Sequence, residues 1–533
     1  MFQLKGKALF AASTTLAATG FLLFGYDQGV MSGIVDNEHW KDLMGFSNES
    51  STSALVGAVV ALYEIGCMFG ALVTGKLGDM LGRRNTIRLG SVILIIGAVL
   101  QTATVNMGMT IASRIITGFG NGMNTATVPV YQSEVSPPKS RGAHVCFECF
   151  LLVVGIGIAY WLEYGLYFVG GEFAWRFPLA FQNLFALILI AGTFVLPETP
   201  RWLVAHDRDE EAKEVLARLW TDGDKDHPRC IAEYEEIRDG IDLERREGIS
   251  SYKELFSKGK FNNRYRVCLG MLSQIIQQLC GINVTTYYLA TVMAQAGMDR
   301  ATSMLMAGVD SIVYGLGSLL PIVLVERIGR RKIMIWGLVL QTITLVCIGG
   351  CQKAQIDGFT GAGSGAVAFT MLYNFVFGAS WLGMAWLYPA EIFSTGLRAK
   401  GNSFSTAANW LGNFVVAMIA PVLFEYITFW TYILFAFLNV IFTPMVYFWF
   451  PETKGLSLEQ IEILFATEEL KDDAKSVASH IGSNYDSEKP HDPENGSVRP
   501  KSYRNQSNLS QDVQHASSQK FETSVSEKAP NYK

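Results

Sequence analysis

The chain has 533 residues, of which 50% are apolar and 17% are Asp, Glu, Lys or Arg, against about 25% charged residues in an ordinary soluble protein. Its formal net charge is −5, and its mean hydropathy is +0.23. These values exclude a mostly disordered protein, a disulfide-dense secreted module and a nucleic-acid-binding protein. They favour a membrane protein.

Twelve apolar runs follow one another along the chain, and each is long enough for a helix that crosses a bilayer, which takes about 20 residues. We therefore predict an all-α membrane protein with twelve spans, numbered 1 to 12 in chain order. The runs lie at 9–35, 54–77, 86–106, 109–132, 143–168, 175–197, 265–296, 302–325, 332–352, 366–389, 401–424 and 429–450. A polar linker at 198–262, in which we expect short helices, separates span 6 from span 7.

The lysines and arginines of the short loops lie mostly on one side of this topology, which is the pattern of loops that face the cytoplasm. We therefore predict cytoplasmic termini and a cytoplasmic linker. Residues 456–533 are polar and rich in serine, so we expect a cytoplasmic tail that is mostly disordered. Asn48 begins an Asn-Glu-Ser sequon in the first outer loop and is a candidate for glycosylation.

Three charged motifs of the first half recur in the same order in the second half, each at the end of a span. The matching segments are 78–84 (GDMLGRR) with 326–331 (ERIGRR), 134–141 with 391–398, and 197–201 (PETPR) with 451–455 (PETKG). The repeat predicts two six-helix bundles, at 1–197 and 263–455. Transporters built from such repeats hold their substrate between the two halves.

These motifs, together with Gln277-Gln278-x-x-Gly281-x-Asn283 in span 7, resemble those of the sugar porter family of the major facilitator superfamily. The resemblance covers about 8–460 and implies the major facilitator fold. Runs at 159–161 (AYW), 175–178 (WRFP) and 409–414 (NWLGNF) resemble the fungal branch. That branch holds carriers of hexoses, pentoses, disaccharides and polyols, including glycerol–proton symporters.

Asp27 lies within span 1 and Arg114 within span 4, and a charge inside a membrane is costly unless it serves a function. At 1.5 Å per residue, Asp27 is about 12 Å and Arg114 about 8 Å below the outer helix ends, so the two side chains can meet. In proton-coupled sugar porters, an acid and an arginine at these positions form the proton site. The resemblance thus implies that protonation of Asp27 from outside frees it from Arg114. The alternative is a static structural pair.

Other acids inside the membrane, Glu64, Glu148 and Asp310, are weaker candidates for the proton path. A span 6 acid of some bacterial proton-coupled relatives falls on Gln182 here.

Polar and aromatic residues of four spans are predicted to bind the substrate. Carboxamides offer donors and acceptors together, which suits sugar hydroxyls, and an indole can cover the C–H face of a sugar ring. The alternative for the amides is hydrogen bonding between helices. The predicted residues are Phe24, Gln277, Gln278, Asn283, Tyr287, Tyr288, Trp386, Asn409 and Trp410.

Hexose carriers of the family that this chain resembles bond the sugar hydroxyls with a glutamine in span 5 and an acid in span 10. Those two positions hold Cys149 and Gly378 here. Such losses shift selectivity among polyhydroxyl substrates, which weakens the expectation of glucose and strengthens that of a pentose or glycerol.

The paired motifs imply a gate in which acids and bases of opposite halves form ion pairs when the cytoplasmic side closes. Exposed pairs contribute about 0–1 kcal/mol each, so several of them can bias a two-state equilibrium. The alternative is that the bases only set the topology. The gate residues are Asp79, Arg83, Arg84, Glu134, Arg141, Glu198, Arg201, Glu326, Arg330, Arg331, Glu391, Arg398 and Glu452.

Together, these features predict proton symport of a hexose, xylose or glycerol across a plasma membrane by alternating access. A facilitative uniporter and a sugar sensor on the same scaffold are the alternatives. We find no catalytic constellation, metal-ligand spacing or cofactor motif, and the glycines at 118–122 are interpreted as helix packing. The expected partners are the sugar or polyol, a proton and membrane lipid, with the chain acting as a monomer.

Overall fold

The computed structural model describes residues 4–45, 52–136, 141–247, 252–257, 262–359, 361–393, 397–456, 461 and 464–467. Within these ranges the chain forms helices and no strand. Eleven of the described helices are long and apolar enough to cross a membrane. One more helix, Met107–Val135, has 29 residues but is not among these eleven, and it packs against spans 2 and 3. The all-α membrane fold is thus confirmed, and the helices are consistent with twelve spans.

The spans begin and end close to the predicted limits, and spans 1, 7 and 10 are interrupted. Their bounds are Gly6–Gly29 with Met31–Ile34, Thr52–Leu81, Arg83–Thr102, Met107–Val135, Arg141–Tyr167, Phe173–Val195, Asn263–Gln277 with Gln278–Ile282, Asn283–Tyr287 and Leu289–Gln295, Arg300–Ile328, Arg330–Ile356, Ala362–Gly378 with Trp381–Ile392, Arg398–Tyr426, and Trp430–Trp449. The candidate glycosylation site, Asn48, and the tail from 468 onwards lie outside the described residues.

A sharp turn at Gly82 joins span 2 to span 3. Gly82 has a φ of +84°, a conformation that glycine adopts without steric cost. The Glu198 carboxylate accepts hydrogen bonds from the backbone N–H groups of Arg83 (3.0 Å) and Arg84 (3.1 Å), which have no acceptor within their own helix. Burial raises the pKa of Glu198 above its ordinary value, while these N–H groups favour the ionised form.

The same turn recurs between spans 8 and 9. Gly329 has a φ of +98°, and the Glu452 carboxylate accepts from the backbone N–H groups of Arg330 (2.9 Å) and Arg331 (3.2 Å). In each half, the Pro-Glu-Thr motif therefore caps the third helix of its own bundle. This shared geometry explains why the sequence repeats at these points.

Spans 2 and 4 approach each other through glycines. A methyl group at Gly122 would lie 2.0 Å from the carbonyl oxygen of Cys67, and one at Gly118 would lie 2.1 Å from that of Tyr63. The predicted role of the glycines at 118–122 in helix packing is confirmed. Arg114 lies one helical turn before Gly118, which contacts the backbone of Tyr63. The close approach of the two helices therefore places the Arg114 side chain beside the Tyr63 ring.

The two halves meet where span 2 packs on span 11 and span 5 packs on span 8. The side of the molecule that carries Asp79 and Arg330 is called the motif side here. On that side, the Ser403 hydroxyl donates to the carbonyl oxygen of Ala71 in the other half (2.6 Å). Near the opposite side, the Tyr160 hydroxyl donates to the carbonyl oxygen of Thr286 across the interface (2.5 Å). Contacts therefore join the halves on both sides of the centre, as in an occluded conformation.

The linker forms short helices beneath the first half. Its helix Asp209–Trp220 buries Ala212, Val215, Leu216 and Leu219, and Arg218 donates to the carbonyl oxygen of Leu4 (3.2 Å). The other linker helices are Pro200–Ala205, Pro228–Glu247 and Tyr252–Leu255.

The glycine contact between spans 2 and 4 generates a stability prediction. Gly122→Ala should destabilise the folded protein by about 1–3 kcal/mol, because the added methyl group overpacks two helix backbones. Thermal unfolding of the purified protein in detergent measures this loss. Gly350→Ala is the matched control, since Gly350 lies inside span 9 with no atom within 4 Å of the added methyl group. An equal melting temperature for the two variants would contradict the predicted overpacking.

Candidate functional site

Span 7 is broken in its middle. A π-helical segment, Gln278–Ile282, contains Gly281 at a φ of +109°, and the backbone departs from helical geometry again at Tyr288. The carbonyl oxygen of Cys280 accepts hydrogen bonds from the Tyr373 hydroxyl (3.1 Å) and the Asn439 amide (3.3 Å). Side chains of spans 10 and 12 thus bond part of the irregular backbone. Such breaks are tolerated at membrane depth where other protein groups satisfy the backbone.

The broken segment presents a chain of carboxamides. Asn409 donates to the side-chain oxygens of Gln274 (2.6 Å) and Gln277 (2.8 Å). Gln278 donates to Gln277 (3.3 Å), and Asn283 donates to Gln278 (2.6 Å). The predicted residues Gln277, Gln278, Asn283 and Asn409 are therefore brought together, and in this conformation their amides bond one another.

Gln277 also donates to the backbone carbonyl oxygens of Trp381 and Leu382, both at 3.2 Å. These two residues begin the second segment of span 10. The Gln277 amide therefore connects span 7 to span 10 next to the break in each helix. This is the alternative role of the amides, hydrogen bonding between helices. Both roles are compatible, since Asn409 retains a buried side-chain oxygen with no hydrogen bond.

Aromatic side chains from both halves meet beside the amides. The Phe24 ring lies 5.0 Å from the Trp410 ring and 5.9 Å from the Trp386 ring, measured between centroids. Trp410 is fully buried, and its indole N–H has no hydrogen-bond partner. The indole can therefore donate to a ligand without losing a bond to the protein.

A void of about 10 Å³ lies next to these rings, lined partly by Phe24, Asn124 and Trp386. A space of this size holds about one water molecule and no sugar. The aromatic side chains must therefore separate before a sugar can lie between them.

Tyr287 and Tyr288 point to different partners. The Tyr288 hydroxyl donates to the carbonyl oxygen of Ala417 within the second half (2.8 Å). The Tyr287 hydroxyl donates to the Glu64 carboxylate in the first half (2.6 Å) and accepts from Asn413 (3.1 Å). Of the two tyrosines, Tyr287 therefore makes the hydrogen bond that crosses between the halves.

Asp27 and Arg114 are both buried, at 1% exposure each, but they do not form the predicted direct pair. The Asp27 carboxylate accepts from the Tyr63 hydroxyl (3.0 Å). Arg114 donates to the carbonyl oxygens of Val59 and Val60, both at 3.2 Å, and its guanidinium lies 4.4 Å from the centre of the Tyr63 ring. Tyr63 therefore links the two charges, and the expected contact is indirect in this conformation.

Three other buried acids have separate surroundings. Asp310 accepts from the Asn374 amide (2.6 Å) within the second half. Glu163, which sequence reasoning missed, accepts from the backbone N–H of Gly33 (3.0 Å). Glu148 is 4% exposed, and burial without an ion pair is unusual for a carboxylate.

The predicted ion pairs between the halves are not formed in this conformation by Glu134, Glu198, Glu326, Glu391 and Glu452, whose partners lie within their own bundles. In the first half, Arg83 pairs with Glu134 (3.1 Å) and Asp79 (3.4 Å). Glu198 caps span 3, as described above. Each of these acids bonds a base or a helix N-terminus of its own bundle. The ends of spans 2, 3, 4 and 6 are therefore held together within the first half.

The second half has the corresponding network. Arg330 pairs with Glu391 (2.6 Å) and Glu326 (2.7 Å), and Glu452 caps span 9. An ion pair that does cross the interface joins Asp79 to Lys400 (3.6 Å), and Lys400 was not among the predicted gate residues.

The remaining gate residues lie around these networks. Arg84 donates to the carbonyl oxygen of Leu196 (3.5 Å), and Arg398 to that of Phe393 (3.5 Å). The Arg331 guanidinium lies 4.8 Å from the centre of the Tyr447 ring. Arg201 belongs to the linker helix Pro200–Ala205, and the side chain of Arg141 lies outside the described residues.

Four polar residues of the site were missed: Tyr63, Asn121, Gln274 and Asn413. Helical spacing offers a signal for two of them, since Gln274 lies one turn before Gln277 and Asn413 one turn after Asn409. Asn121 donates to the Tyr63 hydroxyl (2.6 Å), a contact between spans that no sequence spacing indicates.

Comparisons with known proteins agree with this architecture. Residues 13–465 match the family described as Sugar (and other) transporter. The MFS-type transporter oryC of Aspergillus oryzae is 41% identical over 467 residues, which cover 86% of this chain and 86% of that protein. The Sugar transporter STL1 of Saccharomyces cerevisiae is 36% identical over 477 residues, covering 87% and 82%. The High-affinity glucose transporter of Kluyveromyces lactis is 32% identical over 465 residues, covering 84% and 83%.

Solved structures show the same fold. The structure of the proton:xylose symporter XylE bound to 6-bromo-6-deoxy-D-glucose is 25% identical, with a TM-score of 0.74, over 86% of this chain and 100% of that one. The inward-open conformation of XylE from E. coli is also 25% identical, with a TM-score of 0.69, over 85% and 99%. These relatives are transporters and not enzymes. The chain belongs to the sugar transporter family of the major facilitator superfamily.

Proposed function

We propose that this sugar transporter carries a monosaccharide or polyol together with a proton across the plasma membrane, by alternating access between its two halves. The observation that carries the proposal is the position of the amide and aromatic cluster at the interface between the halves, next to a buried carboxylate and arginine. The motif side, which includes the linker, is the cytoplasmic side in this proposal.

The substrate class is inferred from the groups that meet at the interface. Carboxamides of Gln277, Gln278 and Asn409 can exchange their mutual hydrogen bonds for bonds to sugar hydroxyls at little net cost. The free indole N–H of Trp410 adds a donor, and the ring faces suit the C–H surface of a sugar. One relative is named a glucose transporter, and one structural neighbour is a xylose symporter.

Two positions of the site bear on which sugar or polyol is preferred. Cys149 is fully buried and stands where hexose carriers of this family place a hydroxyl partner. Gly378 likewise supplies no side chain on span 10. We therefore favour xylose or glycerol over glucose as the preferred substrate.

Proton coupling is supported by the state of Asp27. One of its carboxylate oxygens is buried without a hydrogen bond, and a neutral carboxyl group would be stable there. One proton crossing about 100 mV gains about 2.3 kcal/mol, and one pH unit adds about 1.4 kcal/mol. Symport can therefore support roughly 500-fold accumulation, whereas a facilitator supports none.

A facilitative uniporter is the second candidate. It is favoured by the Asp27–Tyr63 hydrogen bond, which a purely structural aspartate would also make. It is favoured as well by Gln182, which stands where some proton-coupled relatives have an acid. A sugar sensor on the same scaffold would bind the sugar and transport nothing, so measurable uptake excludes a pure sensor.

Proton coupling can be tested in yeast that lack their own sugar carriers, suspended in weakly buffered medium at about pH 5. Addition of xylose or glycerol should raise the external pH, because each substrate molecule enters with a proton. Asp27→Asn should abolish this rise, since the amide cannot take up a proton.

Asp357→Asn is the control, because it makes the same change at an exposed aspartate that pairs with Lys353 within the second half. This variant should keep the pH rise. Uptake of labelled substrate without any pH change would make the protein a uniporter and reduce Asp27 to a structural residue.

The role of the Trp410 indole can be tested by Trp410→Phe, which keeps an aromatic ring but removes the unpartnered N–H together with part of the bicyclic ring. The KM for the transported sugar should rise about fivefold, as expected for the loss of one hydrogen bond worth about 1 kcal/mol. Initial rates of labelled uptake measure this change.

Trp175→Phe is the control for Trp410→Phe, because Trp175 is also fully buried with an unpartnered indole N–H but lies on span 6, away from the aromatic cluster. Its KM should stay at the wild-type value. A KM that changes equally in both variants would remove Trp410 from the substrate site.

A further inference from the structure

Glu64 is a buried acid whose hydrogen-bond partner lies in the other half of the molecule. It is 0% exposed on span 2, and its carboxylate accepts from the Tyr287 hydroxyl of span 7 (2.6 Å). The Tyr287 hydroxyl in turn accepts from the Asn413 amide of span 11 (3.1 Å). The second oxygen of the Glu64 carboxylate has no hydrogen-bond partner.

Asp27 has the same arrangement. Its carboxylate accepts from the hydroxyl of Tyr63 (3.0 Å), which accepts from Asn121 (2.6 Å), and its second oxygen also lacks a partner. Each acid is thus held by a tyrosine that an asparagine orients. The hydrogen bonds from Asp27 through Tyr63 to Asn121 all lie within the first half. Those from Glu64 through Tyr287 to Asn413 cross the interface between the halves.

The two acids face one common cation. Arg114 directs its N–H groups to the backbone carbonyl oxygens of Val59 and Val60, the latter one turn before Glu64, whereas Asp27 and Glu64 accept from tyrosine hydroxyls. The titratable, charged and hydroxyl or amide groups around Glu64 are Asp27, Tyr63, Cys67, Arg114, Tyr287 and Asn413. A buried charge without a counterion is costly, so one guanidinium favours one ionised carboxylate at a time once water is excluded.

Tyr287 belongs to a part of span 7 that can move separately from the rest. The short helix Asn283–Tyr287 follows the π-helical break at Gly281 and precedes the second break at Tyr288. A hydrogen bond to an ionised acceptor is about twice as strong as one between neutral groups. The charge on Glu64 therefore controls how firmly this short helix is held against the first half.

We propose that Glu64 is a latch that closes the route opposite the motif side: its ionised carboxylate binds the Tyr287 hydroxyl and holds the segment Asn283–Tyr287 against span 2. When Asp27 is protonated and neutral, the positive charge of Arg114 stabilises the ionised form of Glu64 instead. The hydrogen bond between Glu64 and Tyr287 then becomes stronger. The dependence of the latch on the protonation of Asp27 rests on the proposed proton symport, while the latch itself does not. Proton loading would thereby favour closure of the outer route, as symport requires.

Labelling of a cysteine introduced at position 286 tests the latch. Thr286 is buried and its carbonyl oxygen receives the Tyr160 hydroxyl across the interface, so opening of the outer route exposes it. Thr286→Cys would be introduced into the full chain in intact cells and labelled with a membrane-impermeant maleimide. The same chain without the Thr286→Cys substitution gives the background from the eight native cysteines.

In the Thr286→Cys parent, Glu64→Ala and Tyr287→Phe should each speed labelling about tenfold, as expected for loss of a hydrogen bond to a charged group. The double variant should label no faster than either single variant, because both remove the same bond. Tyr287→Phe leaves the acid in place, so it tests the latch even if Glu64→Ala fails to reach the surface.

Tyr131→Phe is the matched control, because it removes a buried tyrosine hydroxyl bond that stays within the first half. Its labelling rate should equal that of the parent. Labelling of Glu64→Ala and Tyr287→Phe at the parent rate, or additive effects in the double variant, would overturn the latch.

Asp27→Asn separates the latch from its coupling to the proton. With Asp27 permanently neutral, labelling should be slower than in the parent, and Glu64→Gln should abolish that slowing. If Asp27→Asn labels at the parent rate, the shared use of Arg114 is wrong. If no sugar produces a pH change while Glu64→Ala still speeds labelling, the proton symport fails and the latch stands.

Discussion

The absence of water from the bilayer core is the constraint on which this structure depends. A polar group inside the membrane must find its partner within the protein, because lipid offers none. The chain nevertheless places amides, carboxylates, tyrosines and an arginine at that depth, and it breaks span 7 among them. Glu64, Tyr287 and the aromatic cluster lie where the two halves meet, so part of this buried polarity is shared between the halves.

Much of the architecture could be predicted from the sequence. Apolar run length indicates the spans, and the recurring motifs indicate two matching bundles, because both signals depend only on local composition. The residues of the amide and aromatic cluster were also found, since Gln277, Gln278 and Asn409 are polar at positions where lipid would not tolerate them. The family shown by the comparisons agrees with the family that the motifs resemble.

The partners of the charged groups could not be predicted in the same way. Depth in the membrane placed Asp27 and Arg114 at similar levels, but depth says nothing about the rotation of each helix, and the ring of Tyr63 lies between the charges. The acids at the motif side were expected to reach across the interface. Asp79 does reach Lys400 across the interface, but the glutamates bond within their own bundles, because the helix ends of one bundle are closer to each other than to those of its neighbour. Such distances depend on packing angles that a repeat in sequence does not encode.

The matched turns at Gly82 and Gly329 have a consequence for energetics. Each bundle carries the same glycine turn, the same glutamate cap and a matching arginine network on the motif side. Because these contacts lie within a bundle, separation of the two bundles at the motif side would leave both networks intact. The contacts that such a separation would break include the Asp79–Lys400 ion pair and the Ser403–Ala71 hydrogen bond, so the cohesion of the motif side rests on weak contacts between two strongly bonded units.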